Sequence, residues 1–113
     1  MENIYYSPEK FGLEELGEVD TADSYEFCKF VAWHRPADGA VFWSTDSGCS
    51  CPTPFEGLES VDELERATDV AQFAKDARAW LRSSYDTSAA DRDALESIIR
   101  KVRRLAQRLE VTA

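Results

Sequence analysis

The sequence predicts an α+β fold, a small antiparallel sheet of about three strands packed on a C-terminal antiparallel helix hairpin. Three observations predict it. Residues 24–45 are rich in aromatic and β-branched side chains on either side of a turn signal. Residues 60–110 place apolar side chains at helical spacing in two stretches, parted by Ser83-Ser84-Tyr85-Asp86. The 113 residues are 43% hydrophobic, which allows one domain, 1–113, with a core that needs neither disulfide nor metal. Within it, residues 1–57 form a β-rich half ending in a Cys/Pro loop, and residues 60–110 form a helical half.

Along the chain, Pro8 interrupts any strand through Tyr6. A short strand is expected over Glu14–Val19, with Gly12 and Gly17 marking bends. SYEFCKFVAWH is the strongest strand signal, RPADG supplies the turn, and AVFWS returns. Alternation puts Phe27, Lys29, Val31 and Trp33 on one face, and Cys28, Phe30, Ala32 and His34 on the other. On the return strand Val41 and Trp43 share a side, with Phe42 opposite. One face suits the helices. The second is still partly apolar and needs a cover, which Tyr5 and Tyr6 or a partner could supply.

In DSGCSCPTPFEG, Pro52 and Pro54 stiffen a crossing between the two halves, and Phe55 is placed to anchor it. Ser60 and Glu63 have capping-box spacing, so a short helix is expected over Val61–Arg66, with a fresh start near Thr68 or a continuous run. Val70, Phe73, Ala74, Ala77 and Leu81 then mark one amphipathic helix. Thr87 or Ser88 opens a second, whose stripe runs from Leu95 through Ile98, Ile99, Val102, Leu105 and Ala106 to Leu109.

Charge is unevenly placed. Residues 1–65 carry a balance of −12 and residues 66–113 one of +3, which makes the net −9. The acidic front opposes broad binding to nucleic acid or anionic membranes. RKVRRLAQRL is the one basic run, and it also offsets the acidic front and its own helix dipole. No apolar run approaches the roughly 18–20 residues of a membrane helix. MENIYYSPEK is acidic and polar, unlike a signal peptide. Three cysteines do not make a paired disulfide framework, so a reducing cytoplasm is expected.

Little catalytic chemistry is legible. His34 is the only histidine. It lies six residues from Cys28 on one strand, about 20 Å away, too far for a Cys–His pair. Cys49-Ser50-Cys51 is one close thiol pair where structural zinc usually takes two. Cys49 and Cys51 are therefore weak metal candidates, and no cofactor is expected. Phosphate-loop, dinucleotide and nucleophile-elbow patterns are absent.

NIYYSPEKFGLE and DSGCSCPTPFE together resemble a family of small uncharacterised proteins of actinobacterial phages, of the mycobacteriophage type. The likeness is strongest over residues 3–57. It implies a viral origin and the cytoplasm of an infected bacterium as the setting, and it transfers no catalytic residues.

The expectation is a non-enzymatic phage accessory protein that binds a host bacterial protein and modulates a host process. Tyr5, Tyr6, Phe30, Phe42, Arg100, Arg103 and Arg104 are the candidate contact residues, being of types enriched at interfaces. The alternative is a nucleic-acid-related protein, either an acidic mimic or a weak binder through Arg100–Arg108. The Leu95–Leu109 stripe also suits a homodimer.

Overall fold

The structure is a computed structural model. It describes residues 3–21, 26–49, 54–84 and 87–112, with the backbone alone at 49 and 107–112. Four antiparallel strands stand in chain order: β1 (Glu14–Asp20), β2 (Glu26–Arg35), β3 (Ala40–Cys49) and β4 (Glu65–Ala67). Two helices follow, α1 (Val70–Arg82) and α2 (Ala89–Thr112). The α+β class is the expected one, with four strands in place of about three.

β2 and β3 pair over ten residues without a slip, from Glu26↔Cys49 to Arg35↔Ala40. Gly39 takes the left-handed conformation the turn requires, at φ 76°. Arg35 donates to both Asp38 carboxylate oxygens, at 3.0 and 2.8 Å, and Ala40 N–H donates to one of them at 3.1 Å. The return strand runs further than AVFWS suggests, through Cys49. Asp46 ends its free edge by accepting from Ser47 N–H at 2.9 Å and from Phe55 N–H at 2.7 Å.

β1 carries a bulge between Glu15 and Gly17, which makes Leu16 the extra residue. Lys101 of α2 donates to the Leu16 carbonyl at 2.8 Å. At Gly17 the helix comes very close: a Cβ there would lie 2.7 Å from Ile98 Cγ1. The glycine is needed for that approach.

The capping box forms as expected, with both reciprocal bonds, but it opens only a 3-10 turn over Val61–Glu63. Leu64 then turns extended and buries itself, and Glu65–Ala67 pair with Val41–Trp43 as β4. A helix to Arg66 does not form, because the β3 edge and the apolar site for Leu64 compete successfully for these residues. Asp69, one residue beyond Thr68, caps α1 through Ala71 N–H. Ser88 and Asp91 cap α2 reciprocally, at 3.0 and 3.1 Å.

The sheet is covered on both faces. On one, Val19, Phe30, Ala32 and Val41 meet Phe73, Ala74, Ala77 and Leu81 of α1, and Leu95, Ile98, Ile99 and Val102 of α2. On the other, Val31, Trp33, Ala40 and Phe42 pack with Ile4, Leu13, Phe55 and Leu64. This second cover is irregular chain. Its two parts are bonded to each other, Ile4 N–H to the Leu58 carbonyl at 3.0 Å and Asn3 Nδ2 to the Phe55 carbonyl at 2.7 Å. Phe55 is buried as expected of an anchor, in the left-handed region at φ 58°.

Candidate functional site

A cluster of partly buried charged groups sits on the face away from the helices. Alternation on β1 puts Glu18 and Asp20 on that face, and on β2 it puts Lys29 there. Lys29 Nζ lies 3.2 Å from Glu18 and 3.3 Å from Asp20. The Tyr5 hydroxyl donates to Glu18 in a short hydrogen bond, and Lys29 Nζ stands 5.7 Å from the Tyr5 ring centre.

Burial, together with the hydrogen bond to Glu18, pushes the Tyr5 phenol up to about 12. Burial works against the Lys29 charge, but its hydrogen bonds with Tyr5 and Glu18 outweigh that and hold the ammonium above its ordinary range. Burial, aided by the nearby Glu18 charge, also raises Glu15. A phenol kept protonated and an ammonium kept charged are not activated nucleophiles at neutral pH. The cluster's work is to tie Tyr5, and with it the N-terminal cover, to β1 and β2.

The expected contact residues divide. Tyr6 is 53% exposed, edge-on to Tyr5 with ring centres 4.8 Å apart. Tyr5 is half-buried, 4.9 Å from the Phe55 ring. Phe30 is fully buried under α1, with Trp43, Trp80 and Phe73 around it at 5.4–5.9 Å. Phe42 is buried on the opposite face, with the Arg35 and Arg66 guanidinium groups 5.1 and 5.9 Å from its ring centre. Phe30 and Phe42 are thus core residues rather than a contact surface, since the chain covers both faces of its own sheet. Arg100, Arg103 and Arg104 are exposed on α2.

Part of the basic run acts within the molecule, as Lys101 does at the bulge. Arg78 of α1 binds Glu96 of α2 in a two-pronged pair at 2.9 and 2.8 Å, which holds the Glu96 carboxyl below its usual range, with Arg100 and Arg103 adding to the effect. Cys28 and His34 share a face of β2, as expected. Cys28 Sγ lies 3.8 Å from Ser84 Oγ, and His34 Nδ1 lies 3.9 Å from Glu14. Cys51 and the Cys49 side chain lie outside the described residues, and so does the metal reading of that pair. Among the described residues no group of three His, Cys, Asp or Glu could hold a metal ion. Nor, among those residues, is any helix long and apolar enough to cross a membrane.

A concavity lies at the end of the sheet that carries the β2–β3 turn. It encloses about 420 Å³ between β3, β4, the start of α1 and the C-terminal part of α2. Val41, Ala67, Val70, Val102, Leu105 and Ala106 give it an apolar lining, with Asp38, Arg66 and Thr68 also at its wall. Sequence reasoning missed Arg66 here, because a lone arginine after a capping box carries no local signal. The helical stripe itself did point to Leu105 and Ala106.

No curated protein and no solved structure matches this chain. A family model described as a domain of unknown function, DUF7574, matches residues 2–108. With nearly its whole length matched, the chain belongs to the DUF7574 family.

Proposed function

We propose that this chain is a non-catalytic accessory protein of a bacteriophage, which binds a host protein in the cytoplasm of the infected bacterium and modulates a host process. The observation that carries the binding part is the recess at the end of the sheet. There the apolar stripe of α2 continues beyond its fully buried residues to Leu105 and Ala106, which are partly exposed and line the recess, and Arg103 and Arg104 are exposed on the same helix. An apolar floor on a helix that also exposes arginines is a composition suited to recognising another macromolecule. The resemblance of the opening tyrosines and the Cys/Pro loop to actinobacteriophage proteins supports the viral setting. Affinity capture from an actinobacterial lysate, with host growth followed on expression, tests this reading. A specific partner and slowed growth are expected; neither result appearing would defeat it.

The exposed Arg100, Arg103 and Arg104 on one helix favour a second reading, direct contact with nucleic acid. A gel shift at low salt that disappears on reversing Arg103 and Arg104 to Glu would support it over the first.

A further inference from the structure

We infer that the outer face of the paired helices α1 and α2 binds the phosphate backbone of a nucleic-acid duplex. This rests on the second reading above, and extends it from three arginines on one helix to a surface built by two.

Helical period places the cations. On α1, Lys75, Arg78 and Arg82 recur at spacings of three and four, and all three are exposed. On α2, Arg92, Glu96, Arg100 and Arg103 recur in the same way, and the three arginines are exposed. The two-pronged bond from Arg78 to Glu96 makes the two rows neighbours. Arg100 and Arg103 help to hold the Glu96 carboxyl down, so they too stand near it.

Six cations thus share one face with a carboxylate that Arg78 already occupies. Lys75, Arg82, Arg92, Arg100 and Arg103 make no ion pair among the described residues. Of the other acids on these helices, Asp76 accepts from Gln72 and Asp91 from Ser88 N–H, which leaves the exposed Asp93 as the remaining counter-charge among the described residues.

Fold stability does not account for this crowding. Arg100 and Arg104 are like charges at i and i+4, a spacing that destabilises a helix. The helix dipole favours cations only within the last turn, and α2 runs to Thr112, about two turns beyond Arg104.

The chemistry of the face selects its occupant. The centre of a protein interface is apolar and poor in charge. Here the rows offer charge and no large apolar side chain. Among the described residues the large apolar group most open to water is Tyr6, in the cover on the far face of the sheet. A single strand of nucleic acid is held by aromatic stacking as well as charge, and the nearest aromatic, Trp80, is half-buried against Phe30. A duplex backbone needs neither. It is bound by cations that displace its counterions. The −12 balance of residues 1–65 repels phosphate from the rest of the molecule and leaves the helical side as the way in.

Fluorescence anisotropy with a labelled DNA duplex of about 20 base pairs tests this. At low salt the wild type should bind with a Kd of roughly 100 μM or tighter. Log affinity against log salt should have a slope of about −4, as for four or five phosphates neutralised. Reversing Lys75 and Arg82 together to Glu, with α2 untouched, should weaken binding about tenfold or more and leave the circular dichroism unchanged. Should that pair fail to fold, Lys75→Gln with Arg82→Gln should weaken it less but measurably. Indifference to the α1 changes, while Arg103→Glu with Arg104→Glu still abolishes binding, would sink the two-helix surface and leave the single-helix reading standing. No binding by the wild type would sink both. Tighter binding of a single strand of the same length, or of poly-glutamate, would overturn the duplex assignment.

Discussion

Phe30 and Trp33 lie three residues apart on β2, point to opposite faces, and are both fully buried. Phe30 lies beneath two regular helices, and Trp33 beneath two irregular stretches, residues 3–13 and 54–64. The two covers exclude water equally well, because burial depends on apolar area removed and not on the regularity of what removes it. They differ in how their own backbones are satisfied. The helices bond internally and need help only at their ends, from Asp69 and Ser88. The irregular cover must find partners piecemeal: Asn3 on Phe55, Ile4 on Leu58, Asp46 on Phe55. The lesson is that polar side chains hold the second layer in place while apolar ones supply its adhesion.

The most direct way to break this equivalence is to empty each core. Trp33→Ala and Phe73→Ala should each cost about 3–5 kcal/mol in urea unfolding. A cost near zero for Trp33→Ala would show the second layer to be a loose wrapping. Ile4→Ala, at a fully buried site in the N-terminal cover, should cost about 2–4 kcal/mol and so prove that cover integral. Gly17→Ala probes the helix side alone and should cost about 1–3 kcal/mol, through overlap with Ile98. Combining it with Ile98→Ala should give a total below the sum of the two, read from a double-mutant cycle. Asp46→Ala should cost about 1–2 kcal/mol by leaving Phe55 N–H without its acceptor; hydrogen exchange should quicken around residues 55–58 and not in α1.

The smallest effect is one of pH. The Tyr5 phenol is raised in the folded state to about 12, from an ordinary 10.0. Folding therefore favours the protonated form. That contribution is complete below about pH 10 and is lost as pH rises towards 12. Thermal melts above pH 10 should fall less steeply for Tyr5→Phe than for wild type.

The two sides were unequally legible. Helical spacing named Phe73, Ala74, Ala77, Leu81, Leu95, Ile98, Ile99 and Val102, and each is buried where the period places it. The β2–β3 alternation sorted Phe30 from Trp33 and showed that a second face needed covering. It did not show that Ile4, Leu13 and Leu64 would do so, since isolated apolar residues in irregular chain have no period to reveal them. β4 was hidden for a related reason. Glu65-Arg66-Ala67 has no strand propensity of its own, and its pairing comes from the neighbouring β3 edge. Of the candidate surface, the exposed arginines and Tyr6 could be read directly. Phe30 and Phe42 could not, because an aromatic in a strand looks the same whether the chain or a partner covers it.

The bond from Asn3 to Phe55 spans 52 positions of sequence. Its consequence is one of timing. The sheet is assembled from neighbours in the chain, and α1 and α2 from a local hairpin, so these contacts can close early. The N-terminal segment is synthesised first, yet Phe55 and Leu58 must be made before it can dock against them. During that interval Val31, Trp33 and Phe42 stand open to water, and the nascent chain is at its most adhesive. Pulse-labelled hydrogen exchange during refolding should find the Ile4 amide protected after those of β2 and β3; earlier protection would show that the N-terminal segment finds the sheet before its partner segment arrives.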